Sequence, residues 1–126
     1  MSGYAVVDSG TTNTRLRLVR GGQVIWSGGR PVGARDTARD GNPELVLAAL
    51  RELLAELPGQ PDAIICSGMI TSNVGLVEVP HLPAPVTPDD LAGKLVVRSF
   101  PELGEVPLTF IPGVKTVPAG DSFAEL

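Results

Sequence analysis

The segment DSGTTNTR, residues 8–15, contains the residue types that a phosphate-binding loop needs. Gly10 and its small neighbours let the backbone approach a ligand closely, and successive backbone N–H groups in a turn form a nest for an anion. Arg15 adds a fixed positive charge, and Asp8 supplies the oxygen ligands that Mg²⁺ prefers, directly or through water. Further side-chain donors come from Thr11, Thr12 and Asn13. A carboxylate, an anion nest and a cation together suit phosphoryl transfer, in which positioning and charge neutralisation dominate catalysis.

Two other kinds of phosphate loop are excluded, and a purely structural turn stays open. No Gly-Lys-Ser/Thr follows the glycine, so the segment is not the P-loop of nucleoside triphosphatases. A strand rather than a helix comes next, which excludes the dinucleotide-binding fingerprint. A strand–DxGT–strand segment can also be a hairpin that an Asx-type turn closes. On the local residues alone, phosphate binding and a structural turn are both open.

The residues around this loop predict that it lies at one edge of a sheet. Residues 4–7 form a short apolar run that ends at Asp8, as a buried strand does. Residues 14–20 alternate polar and apolar side chains, which is typical of a half-buried strand. A Gly-Gly pair then predicts a tight hairpin into a third strand over residues 23–27. The chain therefore opens with three antiparallel strands.

A loop, a helix and a second buried strand are predicted next. We expect residues 28–42 to be a loop, with Asn42 as the N-cap of a helix and Pro43 at its first position. The helix runs to residue 57, since apolar residues recur at helical spacing. These apolar residues are Leu45, Ala48, Ala49, Leu53 and Leu57. The strand over residues 62–66 is expected to be buried on both faces and parallel to the first strand.

A second glycine-containing loop, SGMITSNVG at residues 67–75, follows that strand. Because ligands bind beyond the carboxyl ends of strands in open α/β sheets, we expect this loop to lie beside residues 8–13 at the ligand edge. The proline-rich residues 79–90 must be extended or turned. A short helix over 88–97 and a last strand over 108–111 complete the predicted α/β chain.

The composition excludes several classes of protein. The 126 residues are enough for one domain with a real core, and 43% of them are hydrophobic, which excludes a disordered chain. A net charge of −4 without any basic run argues against nucleic acid as a partner. Cys66 is the only cysteine, so a disulfide framework is excluded and a reducing compartment is expected. The sequence shows no signal peptide and no apolar segment of about 20 residues, so we expect a cytoplasmic protein without a membrane partner.

The order of these motifs resembles a known family. An apolar strand, D-x-G-T-T-[SN]-T-[KR], a second strand and a glycine hairpin resemble the first phosphate motif of the sugar kinase, actin and Hsp70 superfamily. The string CSGMITSNVGLVEVPHLPAP, residues 66–85, is similar to the G-M-x-x-S-N-x-G-W-x-x-x-P-Y-x-x-x-P stretch of 2-dehydro-3-deoxygalactonokinases. FIPGV, residues 110–114, resembles the I-P-G motif of that family.

The resemblance implies a fold and an activity. The fold is a ribonuclease-H-like (actin-like ATPase) α/β domain, whose mixed sheet opens with three antiparallel strands and has helices packed on it. The activity is phosphorylation of the 6-hydroxyl of 2-dehydro-3-deoxy-D-galactonate in galactonate breakdown, with ATP and Mg²⁺ as cofactors. A small-molecule sugar acid is thus the implied partner.

The resemblance also implies roles for individual residues. Asp8 would help to place Mg²⁺ and the transferring phosphate, and Arg15 would balance phosphate charge. The residues that would cradle the phosphates are Gly10, Thr11, Thr12 and Asn13. The residues that would form part of the sugar-acid pocket are Gly33, Gly68, Met69, Ser72 and Asn73.

The chain departs from the family pattern in two ways. Family members usually have tryptophan where this chain has Ser9 and Leu76. They are also roughly twice as long, because two related domains hold ATP between them. Residues 1–126 are therefore expected to be the N-terminal domain, with the second domain and the catalytic base outside this chain.

Two other functions are open. The chain can be a non-catalytic domain that binds a nucleotide, a sugar acid or another protein, and that dimerises through the surface which a second domain would cover. It can also be a chaperone-like or actin-like ATPase, because those proteins share the first motif. That third function leaves the block at residues 66–85 unexplained.

Other residues that could do chemistry have simpler structural explanations. His81 lies among prolines without an acidic residue to orient it, so we interpret it as a loop residue. Cys66 is interpreted as a small core residue. Asp89 and Asp90 suit a helix N-terminus better than a metal site. Solvated loop charges are the simplest interpretation of Arg35 and Arg39.

Overall fold

The computed structural model describes residues 3–71, 76, 79–80, 82–116 and 124–125. This part of the chain contains a six-stranded mixed sheet, a three-stranded sheet and three α-helices. The strands are β1 Tyr4–Ser9, β2 Thr14–Arg20, β3 Gln23–Arg30, β4 Ala63–Gly68, β5 Leu82–Pro83, β6 Val96–Arg98, β7 Leu108–Phe110, β8 Val114–Thr116 and β9 Ala124–Glu125. The helices are α1 Ala34–Asp40, α2 Glu44–Glu56 and α3 Pro88–Ala92.

The large sheet has the strand order β3-β2-β1-β4-β7-β6. Strand β2 is antiparallel to both β1 and β3, which confirms the predicted opening of three antiparallel strands. Strands β1, β4 and β7 are parallel to one another, as predicted for β1 and β4. Strand β3 continues to Arg30, three residues beyond its predicted end, because its last residues pair with the start of β2.

Helix α2 supplies the main apolar stripe of the core. Its buried residues follow helical spacing, and Val46, Leu50 and Leu53 pack with buried residues of β1, β2, β4 and β7. The buried residues are Val46, Ala49, Leu50 and Leu53. The helix was predicted, and Ala49 and Leu53 of its predicted stripe are buried. Leu45 is exposed instead of buried, whereas Val46 and Leu50, which were not predicted, are buried. The cap was also wrong by one position: Pro43 occupies the N-cap, while the Asn42 side chain accepts a hydrogen bond from the Glu44 N–H at 3.1 Å.

The prediction that residues 28–42 form a loop was wrong, because helix α1 lies within them. Asp36 explains how this short helix begins. Its carboxylate accepts a hydrogen bond from the Gly33 N–H at 2.9 Å, and its own N–H donates to the Gly33 carbonyl at 3.0 Å. Gly41 ends the helix in the left-handed conformation, with φ 75°, as a C-terminal glycine commonly does.

The C-terminal third of the chain differs most from its prediction. The helix predicted over 88–97 ends at Ala92, and residues 96–98 form β6 instead. Strand β6 pairs antiparallel with β7 at the edge of the large sheet, a long-range contact that local spacing does not reveal. Strands β5, β8 and β9 form the small sheet.

One face of the large sheet is more deeply buried than the other. Alternation along β4 buries Ile64 and Cys66, whereas Ala63, Ile65 and Ser67 are half-buried. The expectation that this strand is buried on both faces was therefore wrong in part. Among the helices of the described residues, none is long and apolar enough to cross a bilayer.

Candidate functional site

The turn between β1 and β2 forms a pocket of about 220 Å³. Six residues line it, and they are the six that the sequence assigned to phosphate and Mg²⁺ binding. They are Asp8, Gly10, Thr11, Thr12, Asn13 and Arg15. The fold thus brings the predicted phosphate residues together on one surface, and their roles stay a prediction.

Strand alternation directs the charged and the neutral residues of this turn to opposite sides. Asp8 and Arg15 are direct neighbours across β1 and β2, and both are exposed. Ser9 and Thr14 are the next pair, and both are buried. In the described part of the chain, no ion pair includes Asp8 or Arg15. The carboxylate and the guanidinium are therefore both available to a ligand with a metal ion and phosphates.

The backbone of the turn is held by hydrogen bonds on one side. The Gly10 N–H donates to the Asn13 carbonyl at 2.8 Å and closes the turn. The carbonyls of Gly10 and Thr11 accept hydrogen bonds from the N–H groups of Ala34 and Arg35, at 3.0 and 2.9 Å. Both acceptors belong to the turn and both donors to the start of α1, so two hydrogen bonds connect the helix directly to the turn.

These bonds orient the amides of the loop. In a trans peptide the carbonyl of one residue and the N–H of the next point in opposite directions. Because the carbonyls of Gly10 and Thr11 point towards α1, the N–H groups of Thr11 and Thr12 point away from it. Within the residues that the structure describes, neither of these N–H groups has a hydrogen-bond acceptor. Two neighbouring amides without a protein acceptor fit the oxygens of a phosphate.

Two buried hydroxyls hold the base of the turn. The Thr14 hydroxyl donates to the Val32 carbonyl at 2.7 Å. Since it has a single proton, the Ser9 hydroxyl must be the donor in the 3.0 Å contact between the two side chains. This chain of hydrogen bonds ties β1, β2 and the segment before α1 together. Ser9 therefore faces the interior, and it does not line the 220 Å³ pocket.

The second loop begins beside Asp8, as predicted. Asp8 and Ser67 are neighbours across β1 and β4, and Ser9 is the neighbour of Gly68. Gly68 has a φ of +87°, and a Cβ there would lie 2.6 Å from the Ser9 carbonyl oxygen and 2.9 Å from Asp8 Oδ1. Only glycine fits this position without a shift of the Asp8 region.

The other predicted sugar-acid residues have different positions. Met69 is half-buried and opens a 3₁₀ turn over Met69–Thr71. Ser72 and Asn73 lie outside the described residues, as does His81. Gly33 is buried behind the phosphate turn, and it does not line the 220 Å³ pocket. Leu76, at the second position where the family has tryptophan, packs against the core, and its N–H donates to the Ile70 carbonyl at 2.9 Å.

The remaining candidates have structural roles. Cys66 is buried, and burial raises the pKa of its thiol to about 12. Asp90 caps α3 reciprocally with Thr87, and the hydrogen bonds from Thr87 lower the pKa of the Asp90 carboxyl. Arg39 pairs with Asp36 and Asp40. The described residues contain no group of three or more His, Cys, Asp or Glu side chains that could hold a metal. Asp8 belongs to no such group, so it suits Mg²⁺ together with phosphate oxygens.

The contribution of α1 to this site was not predicted from the sequence. The available signal was Asp36 three residues after Gly33, a spacing typical of the first turn of a helix. The segment has no apolar stripe, so periodicity gave no reason to expect a helix. Its contacts with the turn are tertiary and do not follow from the spacing.

Comparison with solved structures shows the fold. A protein of Sinorhizobium meliloti, to which 2-dehydro-3-deoxygalactonokinase activity is ascribed, aligns with a TM-score of 0.70 at 20% identity. The alignment covers 98% of this chain and 39% of that one, so the chain spans about two fifths of the relative's length. The Ppx/GppA protein of Aquifex aeolicus aligns over 77% of this chain and 34% of its own, at 18% identity and a TM-score of 0.47.

The mixed six-stranded sheet and the alignment over nearly the whole chain confirm the predicted ribonuclease-H-like, actin-like ATPase fold. No curated protein matches the chain. The family model of 2-keto-3-deoxy-galactonokinase matches residues 8–122, which include both glycine-containing loops. The chain belongs to the 2-keto-3-deoxy-galactonokinase family.

Proposed function

We propose that the protein containing this chain transfers the γ-phosphoryl group of ATP to the 6-hydroxyl of 2-keto-3-deoxy-galactonate. The observation that carries the proposal is the turn after β1, where two amides without protein acceptors, one exposed carboxylate and one exposed arginine line the same pocket. Family membership supports kinase chemistry. We propose in addition the identity of the sugar acid, the use of ATP and the position of each group during transfer.

In the proposed reaction the sugar hydroxyl oxygen bonds to the γ-phosphorus. The bond between that phosphorus and the bridging oxygen of ADP breaks, and the hydroxyl proton passes to a base. The amides of Thr11 and Thr12 donate to phosphate oxygens, and Arg15 balances their negative charge. Asp8 holds Mg²⁺, which neutralises charge on the phosphates when it is bound.

The rest of the site is proposed to come only in part from the described residues. Ser72 and Asn73 would contact the sugar acid together with residues Gly68 and Met69 at the end of β4. A second domain would supply the adenosine pocket and the base, because the chain spans 39% of the length of its S. meliloti relative. The proposed domain organisation is therefore a two-domain kinase with residues 1–126 as its N-terminal domain.

A kinase assay on the complete natural protein tests this proposal. The protein is incubated with ATP, Mg²⁺ and either 2-keto-3-deoxy-galactonate or its gluconate epimer, and ADP and the phosphorylated acid are quantified by mass spectrometry. We expect equal amounts of ADP and phosphorylated galactonate derivative, and a loss of roughly 100-fold or more in kcat when Asp8→Asn removes a charged ligand.

The matched control is Asp62→Asn. Asp62 is also exposed, and it contacts the Gly3 N–H at the other end of β1, away from the pocket. Failure to phosphorylate either acid, with nucleotide binding retained, would favour the non-catalytic binding domain. Normal turnover in the Asp8→Asn protein would overturn the role of Asp8.

A further inference from the structure

Gly33 lies directly behind the phosphate turn, where the structure has room only for glycine. A Cβ at this position would lie 2.4 Å from the Gly10 carbonyl oxygen and 2.6 Å from the Thr11 carbonyl oxygen. Its φ of −159° is ordinary extended backbone, so the restriction comes from space and not from conformation. The two oxygens that a side chain would displace are the two that α1 holds.

Asp36 fixes the segment that carries Gly33. It is only 8% exposed, and its Oδ2 accepts a hydrogen bond from the Gly33 N–H at 2.9 Å. This bond sets the first turn of α1, so that the following N–H groups, those of Ala34 and Arg35, reach the carbonyls of the turn. Arg39 contacts the other carboxylate oxygen at 3.3 Å but is 61% exposed, so it adds little to this arrangement.

We propose that Gly33 and Asp36 are positioning residues, which set the direction of the Thr11 and Thr12 amides and thereby create the anion nest. This inference rests on the proposed function, since it assigns those amides to nucleotide phosphates. The residues contact no substrate themselves. They act through the Gly10 and Thr11 carbonyls, whose orientation fixes that of the next two N–H groups. Gly33, which the sequence suggested for the sugar-acid pocket, thus serves the phosphates.

Four variants of the complete natural protein test this role. Gly33→Ala places a methyl group against both carbonyls, and Asp36→Ala removes the acceptor for the Gly33 N–H. Asp36→Asn keeps an oxygen acceptor and should preserve the hydrogen bond from the Gly33 N–H. Gly41→Ala is the matched control at the other end of α1. It strains a left-handed residue, but its new Cβ meets nothing within 4 Å.

The first readout is the affinity for Mg²⁺ and a non-hydrolysable ATP analogue, measured by calorimetry alongside thermal unfolding. We expect Gly33→Ala and Asp36→Ala to weaken binding by about tenfold or more, since hydrogen bonds to a charged phosphate are lost. Asp36→Asn and Gly41→Ala should stay within about twofold, because the nest is unchanged. Gly41→Ala should still lower the unfolding temperature, which separates positioning from stability.

The second readout is hydrogen exchange of the Gly10 amide, which donates to Asn13 in the intact turn. Exchange should accelerate in Gly33→Ala and not in Gly41→Ala. If Gly33→Ala does not fold, the affinities of Asp36→Ala and Asp36→Asn for the ATP analogue test the positioning role instead.

The inference is overturned if Gly33→Ala and Asp36→Ala bind the analogue as tightly as Gly41→Ala does. A wild-type protein that binds the analogue but phosphorylates no sugar acid contradicts the proposed function, while the four affinities still decide the positioning role. A wild-type protein that binds no nucleotide overturns both.

Discussion

Replacing Gly68 by alanine tests whether the end of β4 holds the Asp8 carboxylate in place. The new Cβ would lie 2.6 Å from the Ser9 carbonyl oxygen and 2.9 Å from Asp8 Oδ1. Lengthening the shorter contact to an ordinary 3.4 Å requires a movement of about 0.8 Å. Because a misplacement of about 1 Å can cost roughly 100-fold in rate, we expect kcat/KM of the complete protein to fall by one to two orders of magnitude.

The strain of the backbone must be separated from this displacement. Alanine at the positive φ of Gly68 costs about 1–2 kcal/mol of stability in addition to the contact. Gly21→Ala is the control, because Gly21 also has a positive φ, of 56°, and a Cβ there meets nothing within 4 Å. Gly21 lies in the β2–β3 hairpin, about 20 Å along β2 from the phosphate turn.

The assay measures steady-state phosphoryl transfer and thermal unfolding for both variants. We expect both to unfold at a lower temperature, and only Gly68→Ala to lose activity at a temperature where both are folded. Equal kcat/KM in the two variants would show that Gly68 is not needed for the placement of Asp8.

Three further predictions concern the turn and the core. Arg15→Gln should weaken binding of the Mg²⁺–ATP analogue by about tenfold, whereas Arg17→Gln, two residues along β2 and outside the 220 Å³ pocket, should leave it unchanged in calorimetry. Thr14→Val should lower the free energy of unfolding by about 1–3 kcal/mol in urea titrations, because the Val32 carbonyl and the Ser9 hydroxyl lose their partner; an unchanged midpoint would contradict this. The Cys66 thiol should resist alkylation at pH 8 until the protein unfolds, since burial raises its pKa from 9.0 to about 12. Because the folded state keeps the thiol protonated, its contribution to the free energy of unfolding is complete below pH 9.0 and is lost as the pH rises through about 12. The Cys66→Ala variant should lack this pH dependence.

The parts of the fold that the sequence predicted are those in which local pattern and tertiary contact agree. Strand β2 alternates exposed and buried residues along most of its length, and the glycine pair before β3 closes a hairpin. The phosphate residues were found because they are contiguous in sequence and lie in a single turn. Parallel pairing of β1 and β4 then brought Gly68 beside Asp8, as their positions at strand ends indicated.

The parts that the sequence did not predict depend on distant contacts. Helix α1 has seven residues without an apolar stripe, and its first N–H groups bond to a turn more than twenty residues earlier. Strand β6 was assigned to a helix because the pairing with β7 that defines it is tertiary. The role inferred for Gly33 comes from the lack of space beside Gly10, whose carbonyl oxygen would lie 2.4 Å from a Cβ at position 33, and no local pattern contains that information.

A crystal structure of the complete natural protein with Mg²⁺ and a non-hydrolysable ATP analogue would test directly whether the turn after β1 binds phosphate. We expect phosphate oxygens to accept hydrogen bonds from the N–H groups of Thr11 and Thr12, with Mg²⁺ bound beside Asp8. Phosphates bound elsewhere, with both amides still without a phosphate acceptor, would show that this turn is not the phosphate site.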